Sequence, residues 1–520
     1  MSAVSHETSP LLSTRDEQNV AESNRKRRRS LLWIGGSVVV ILVGLGLVFL
    51  VKGSEKKPVF EELKTEAIFG HLEELYAIAL KHNNSRSITN GYRASAEYVQ
   101  SQLQSVAGDF CDVSTQEFKV PIWSELKEPE LSSTGIGQGN SFVQYQAMVD
   151  FRNFRYGGLG ANLKDQQVHV VEGTGCQLKN HRGVKGKLAL VQANTACDLW
   201  NIAYYSEMSG ASGVMIYNDP TRKELMSNRI RIVAWEEGDP LISIPVLSLS
   251  NSLGMTLSHN EETVRLNLKT YNSLTIESTI NVLCATKDGD EKDTIVVGAH
   301  LDSVPGGPGM VDNGSGATSL LEIALVLARD NFKVQNKVVF AWWGAEEIGL
   351  LGSRHYVRQI AKDQHKKKQL AMNINFDMLA SPNYVPYVHD GKTAPKELVG
   401  PSSKIDHLLI EQFDKENEPY KYTRMTAGSD FLPFLLEGIP SGGVLTGAGQ
   451  RKSEEERILF GGFANAPLDP CYHQSCDTLD NVSKKALGLM SRAAFHAITK
   501  VARADNLREW LANKDVQLSS

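Results

Sequence analysis

Val338-Val339-Phe340-Ala341-Trp342-Trp343-Gly344-Ala345-Glu346-Glu347-Ile348-Gly349-Leu350-Leu351-Gly352-Ser353 decides how this chain is read. Its first six residues are uninterrupted apolar side chains, the length and composition of a strand buried on both faces. Two adjacent acids then stand at the carboxyl end of that strand. Carboxylates rarely occupy such a place unless they are paired or bind a metal.

Outward from this segment, buried strands alternate with helices from Ser278 onward. Asp293 to Ala299 and Ala371 to Phe376 read as further strands, and Gly316 to Asp330 as a helix capped by the Asn313-Gly314-Ser315 turn. The alternation predicts an α/β fold whose mostly parallel mixed sheet is flanked by helices. In such sheets ligands collect outside the carboxyl ends of the strands. His300, Glu346, Glu347 and Asp377 all fall at that edge, and Asp312 and His473 complete the set.

The residue types suit zinc, which accepts imidazole nitrogen and carboxylate oxygen and leaves a position open for water at catalytic sites. Two ions about 3.5–4 Å apart need a ligand that bridges them, and a carboxylate has two oxygens for the purpose. Two histidines, three carboxylates as ligands and one carboxylate left as a base therefore read as a two-metal hydrolase site. Asp302 lies two residues after His300, where its carboxylate can accept the second ring N–H and fix the tautomer. Gly306-Gly307-Pro308-Gly309 would let the backbone approach the metals closely.

At 520 residues and 57.3 kDa the chain exceeds one ordinary domain. A net charge of -5 and a pI near 6.3 give no electrostatic footprint for nucleic acid. The basic residues are unevenly spread: Arg25-Lys26-Arg27-Arg28-Arg29 directly precedes the uncharged, apolar segment from Leu31 to Val51. That segment has about the ~20 residues that cross a bilayer as a helix. A cleaved secretory signal would have a shorter apolar region followed by small residues, and Phe49-Leu50-Val51-Lys52 offers no such site. The basic cluster on the amino side predicts a type II membrane protein with a cytosolic tail and a lumenal or extracellular remainder. In the polar tail (residues 1–30), Glu7 stands four residues before Leu11-Leu12, which resembles the dileucine signals read by adaptor proteins that route cargo to lysosomes and vacuoles.

Residues 58 to 140 read as the N-terminal part of the catalytic domain, with a helical entry. Ala94 to Val106 fits an amphipathic helix with Ala96, Val99, Leu103 and Val106 inward, and Cys111 to Val120 alternates like an edge strand. Ser, Thr and Gly enrichment from Leu131 to Asn140 marks a composition break. Residues 141–271 then read as a separate β-rich module with strands at Val168 to Val171, Lys187 to Val191 and Gly213 to Tyr217, and a helix from Ala203 to Gly210. It contains no cluster of metal-site type. Residues 272–515 form the main part of the catalytic domain. Six cysteines on the lumenal side are compatible with disulfides. Cys471 and Cys476 could enclose His473, and Cys176 and Cys197 a second loop, while Cys111 and Cys284 either pair or remain buried thiols. Asn83 and Asn481 head glycosylation sequons; Asn313 heads another, but lies too near the metals to be modified.

The series His300-x-Asp302, Val311-Asp312-Asn313-Gly314-Ser315-Gly316, Trp343-Gly344-Ala345-Glu346-Glu347, Asn375-x-Asp377-Met378 and Cys471-Tyr472-His473-x-x-Cys476-Asp477 resembles the co-catalytic dizinc aminopeptidases, most closely the vacuolar aminopeptidase Y group. The resemblance covers roughly Pro58 to Trp510. It implies a zinc-exopeptidase-like fold with a protease-associated domain inserted at residues 141–271, matched through Gly186-Lys187-Leu188-Ala189-Leu190-Val191 and Gly210-Ala211-Ser212-Gly213-Val214. It also implies two zinc ions, one held by His300 and Asp377, the other by Glu347 and His473, with Asp312 bridging. Glu346 would be the general base, Tyr472 would hydrogen-bond the developing oxyanion, and a Cys471–Cys476 disulfide would hold the loop that presents Tyr472 and His473. The implied substrates are peptides with a free amino terminus. The chain departs from the family at Gly428-Ser429-Asp430-Phe431, where many relatives place a histidine after Ser-Asp; Phe431 would reshape the substrate pocket.

The alternative is a carboxypeptidase resembling the glutamate carboxypeptidases, which share the anchor, the inserted domain and the dizinc core. Those relatives carry a long helical dimerisation region after the last ligand, whereas only His473 to Ser520 is available here. A non-catalytic binding protein on the same scaffold would lack ligands or base, and none is missing.

Overall fold

The computed structural model describes residues 63–519 apart from 137–140, 196, 223–224, 227–229, 231–234 and 427. The tail, the membrane segment and the dileucine motif expected above lie outside the described residues. Among the described residues no helix is long and apolar enough to cross a membrane.

Two mixed eight-stranded sheets organise the fold. The first is built from β1 (Cys111–Glu125), β2 (Asn272–Thr286), β3 (Asp290–His300), β4 (Asn336–Trp343), β5 (Leu370–Phe376), β6 (Tyr387–Asp390), β7 (Lys421–Arg424) and β8 (Ser441–Leu445). Its spatial order is β1-β2-β4-β3-β5-β8-β6-β7. The four central strands, β4, β3, β5 and β8, run parallel. β2 pairs antiparallel with β4, and β1 closes that edge antiparallel to β2. The edge strand expected at Cys111 is therefore present and runs five residues further than its alternation predicts, to Glu125.

Burial explains why the central strands read as apolar runs. β5 is buried at every position, and Trp342 and Trp343 of β4 are both fully enclosed. Each indole hides roughly 150–250 Å², which at about 25 cal/mol per Å² contributes several kcal/mol. Helices α1 (Thr65–Lys81), α2 (Tyr92–Val106), α3 (Ser315–Arg329) and α4 (Lys484–Arg503) contribute to the cluster over one face. In α2, Ala96, Val99 and Leu103 point inward as their spacing predicts, but Val106 is exposed because the helix ends there and the chain turns toward β1.

The second sheet spans Glu130–Thr134 to Arg265–Thr270. Its first strand falls inside the composition break at 131–140, so the polar Ser-Ser-Thr stretch is strand rather than linker. Ala161–Val170, Leu188–Gln192, Gly213–Tyr217 and Val246–Leu249 are mutually parallel, and a helix at Leu199–Met208 lies between the second and third of these in sequence. One apolar cluster joins this part to the first sheet: Ala189, Val191, Ile202 and Ala203 share it with Phe118, Ala345, Ile348 and Leu351. The segment carrying Glu346 and Glu347 is thus packed between the two sheets.

All six cysteines pair: Cys111 with Cys284, Cys176 with Cys197, and Cys471 with Cys476. The first bond links β1 to β2 across the sheet edge and resolves the alternative of buried thiols.

Candidate metal centre

Parallel strands end at a common edge, and three of them deliver side chains there. β3 ends on His300, β5 stops one residue before Asp377, and β4 stops at Trp343, directly opposite His300 in register. Asp312 comes from the bend Met310–Gly314 that leads into α3. His473 enters from a separate loop in a left-handed conformation (φ 60°), within the ring closed by Cys471 and Cys476.

Asp312 joins the two halves. Its Oδ1 is 3.2 Å from His300 Nε2, and its Oδ2 is 3.1 Å from His473 Nε2. Asp377 Oδ1 faces the first imidazole at 3.3 Å, and Glu347 Oε2 faces the second at 3.2 Å. Two groups of donors result, His300-Asp312-Asp377 and Asp312-Glu347-His473; within each, the donor atoms lie within 4.8 Å of one another. Glu346 belongs to neither, with Oε2 4.0 Å from His300 Nε2. The adjacent acids are therefore separated: Glu347 turns to His473, Glu346 toward the other half.

The electrostatics call for cations. Burial opposes protonation of His300, yet the carboxylates of Asp377, Glu346, Asp302 and Asp312 outweigh it and push the imidazole well up. Burial likewise opposes protonation of His473, while Asp312 and Glu347 raise it to about 10. Burial raises Glu346 well above the usual carboxylate range; His300 opposes this, and Glu347, Asp430 and Asp377 add to it. Burial of the Tyr472 phenol, with Asp312, Glu347, Glu346 and Asp377 around it, raises it far enough to stay neutral. Its ring stacks on His473 at 3.8 Å between centroids. Imidazole Nε2 atoms facing only carboxylate oxygens, and a buried Asp377 Oδ1 that accepts no hydrogen bond within the described residues, fit divalent metal such as zinc.

Buried polar groups hold these donors by their backbone. Asp302 departs from its expected role: its main-chain oxygen lies 3.1 Å from His300 Nδ1, while its carboxylate stands off at 3.7 Å. The carboxylate instead accepts the N–H groups of Glu346 at 3.1 Å and Glu347 at 3.2 Å. Asp477 acts as its counterpart, accepting the N–H groups of Val311 at 2.9 Å and Asp312 at 3.1 Å. Burial and nearby Asp469 raise Asp477 to about 7 against the pull of those amides. Asn313 Oδ1 accepts from Gly316 and Met378, and its amide donates to Phe376, tying the Asp312 turn to the end of β5. Ser429 donates to Asp377 Oδ2 at 2.6 Å.

Three other expectations change. Gly307 approaches the His473 loop: a Cβ there would come within 2.1 Å of the Gln474 carbonyl. Asn481 is buried and its amide donates to Asp469 at 2.9 Å and Asp477 at 3.0 Å, so this sequon cannot carry a glycan; buried Asn313 is closed in the same way. Phe431 is buried against His389, 4.7 Å between ring centroids, in a cluster with Ala394, Leu398 and Leu435 rather than in a pocket. That burial lowers His389 to about 4.

A cleft of about 990 Å³ opens beside Glu346. The first sheet's side supplies Glu346, Gly349, Leu350, Gly428 and Leu432. The opposite wall comes from loops after the second sheet's parallel strands, including Gln192, Asn194, Asp198, Asn218, Asp219 and Arg222.

A mixed sheet with two donor groups sharing one carboxylate at its strand ends defines the class: a scaffold built to hold metal at its strand ends. Peptidase family M28 matches residues 281–498, the stretch that holds every donor. Over 451 residues the chain is 30% identical to leucine aminopeptidase 2 of Trichophyton rubrum, with 85% of each chain covered. It is 33% identical over 442 residues to an aminopeptidase of Pseudomonas aeruginosa, covering 83% of this chain and 80% of that one. The chain belongs to peptidase family M28. Its fold is similar to that of an aminopeptidase from Aneurinibacillus sp. strain AM-1, with a TM-score of 0.64 at 21% identity, covering 85% of this chain and 94% of that one. It is also similar to a zinc aminopeptidase from Bacillus subtilis, with a TM-score of 0.56 at 24% identity over 85% and 96% of the two chains.

Proposed function

We propose that this chain is a dizinc aminopeptidase that removes amino-terminal residues from peptides, anchored as a type II membrane protein with its catalytic region on the lumenal side. One observation carries the catalytic part: two three-residue donor groups meet on the two oxygens of Asp312. In this assignment His300 and Asp377 would hold one zinc and Glu347 and His473 the other, with Asp312 available to both. The ions, when bound, supply the Lewis acidity that activates water and polarises the scissile carbonyl.

The chain's own groups supply the rest. Glu346, outside both donor groups and open to the cleft, takes the proton of the attacking water and returns it to the leaving amine. Tyr472 remains a phenol and donates a hydrogen bond to the oxyanion as it develops. The cleft between the two sheets receives the peptide. For residues 141–271 the proposed identity is a protease-associated domain.

Anchoring rests on Arg25 to Arg29 followed by the apolar segment Leu31 to Val51. Glu7 with Leu11-Leu12 would recruit adaptor proteins for delivery to a vacuolar or lysosomal membrane, with the cell surface as the other destination. Asn83, exposed in a turn, is the sequon open to glycosylation.

The full-length protein in detergent should release free amino acid from aminoacyl-4-nitroanilides, lose that activity to a chelator and regain it with zinc. Inertness toward them, with cleavage of an acetylated peptide ending in Glu, would replace the aminopeptidase with the carboxypeptidase. In sealed microsomes, added protease should remove only the tail; digestion of the catalytic region would reverse the topology.

A further inference from the structure

Arg86 lies in the turn between α1 and α2, more than two hundred residues before His300, yet it is fully buried beneath the donor groups. Its guanidinium engages only main-chain oxygens. Nε donates to the Pro308 carbonyl at 2.8 Å, one terminal nitrogen to Gly309 at 2.5 Å and the other to Leu301. Its own N–H donates to Ser303 Oγ at 2.9 Å, and Ser303 Oγ in turn donates to the Gly307 carbonyl at 2.8 Å.

Those acceptors are not random. Leu301 follows His300 directly, and Gly309 precedes Asp312 by three residues, so one planar fork grips the two chain segments that carry the His300–Asp312 pair. Gly309 has φ 65°, and a Cβ there would stand 3.1 Å from the guanidinium, 2.3 Å from the Asp312 carbonyl and 2.6 Å from Ser303 Cβ. The glycine therefore admits both the turn and the arginine. Burial lowers Arg86 to about 10, against Asp302, Asp477, Asp312 and Glu347, so it stays charged at neutral pH. A buried cation with no carboxylate bound directly to it is costly unless its charge serves its surroundings. Here it lies near the two carboxylates, Asp302 and Asp477, that grip the N–H groups of Glu346, Glu347, Val311 and Asp312.

We infer that Arg86 is a positioning residue of the metal centre: its fork sets the spacing between His300 and Asp312, and zinc affinity depends on it. The inference rests on the dizinc assignment above. Lysine keeps the charge but is a point donor that cannot span three carbonyls in one plane.

The test is zinc affinity of the full-length protein, measured by competition with a chromophoric chelator. Arg86→Lys should weaken zinc binding by about 10–100-fold, the range for groups that orient metal ligands. Ser303→Ala, a milder change at the same anchor, should weaken it by a smaller factor while leaving the circular dichroism spectrum unchanged. If Arg86→Lys does not fold, Ser303→Ala decides. Folded variants that bind zinc as tightly as the wild type, even with a lowered Tm, would reduce Arg86 to a structural arginine and overturn the inference. A wild-type chain that takes up no zinc would instead overturn the metal assignment itself.

Discussion

The two sheets share an architecture and differ in chemistry. Each has four adjacent parallel strands, and the loops beyond their carboxyl ends face the same cleft. In the first sheet those loops converge as His300, Glu346, Glu347 and Asp377. In the second they present Asn194, Asp198, Asn218, Asp219 and Arg222, and no donor group of metal type occurs there among the described residues. A strand edge is thus a place for a site, and the residues decide what the place can do.

The largest break in that contrast comes from Asp312, the carboxylate within reach of both imidazoles. Asp312→Asn should abolish binding of both ions and lower turnover by more than about 10³-fold, since proton transfer and charge stabilisation fail together. Metal analysis beside a nitroanilide assay checks it. Asp302→Asn comes next. The new amide accepts through one oxygen only, leaving the Glu346 or Glu347 N–H unsatisfied at a cost of about 1–3 kcal/mol, with zinc binding weaker by roughly 10–100-fold. Asp477→Asn should be milder, because burial already brings that group to about 7 and disfavours its charge. Thermal unfolding of the two variants side by side ranks them.

Removing metal should expose the carboxylate nest. His473 is raised to about 10, with His300 and Glu346 also raised, so these groups favour their protonated forms in the fold. The histidine contribution is full below the unfolded value of about 6.5 and is lost as pH rises through the folded value, while that of Glu346 is full only below its unfolded value of about 4.3 and declines above it. Asp312, held low, contributes with the opposite sign, but its effect is complete below that window. The chelated protein should therefore lose Tm steadily from about pH 6.5 to 10, and the zinc-loaded protein much less. The smallest effect belongs to the other wall: Arg222→Ala should raise KM for peptides by no more than about fivefold, the scale of an exposed charge contact, and leave a short nitroanilide unchanged.

Much of this was legible in the sequence because it was local. The apolar run before Glu346-Glu347 specified a buried strand, and parallel strands place His300 and Asp377 at the same edge. What was not legible depends on chain segments far apart. Spacing placed Asp302 near His300 but could not show that its carboxylate reaches past the ring to two backbone amides of another loop. Asp477 stood inside the quoted motif with no sign that Val311 and Asp312 would be its partners. Asn481 read as a sequon because burial is invisible in three residues. Phe431 read as a pocket residue because His389, which it covers, lies forty residues earlier. Arg86 gave no local signal, since its partners are carbonyls that every residue possesses.

In the proposed mechanism two adjacent acids divide the work, Glu347 as ligand and Glu346 as proton carrier. Metal content and turnover of Glu346→Gln, measured on the same preparation, test it most directly. Glu346→Gln should keep two zinc ions per chain, as the wild type should, with turnover lower by about 10²–10⁴-fold. Loss of an ion, or turnover close to the wild type, would contradict it.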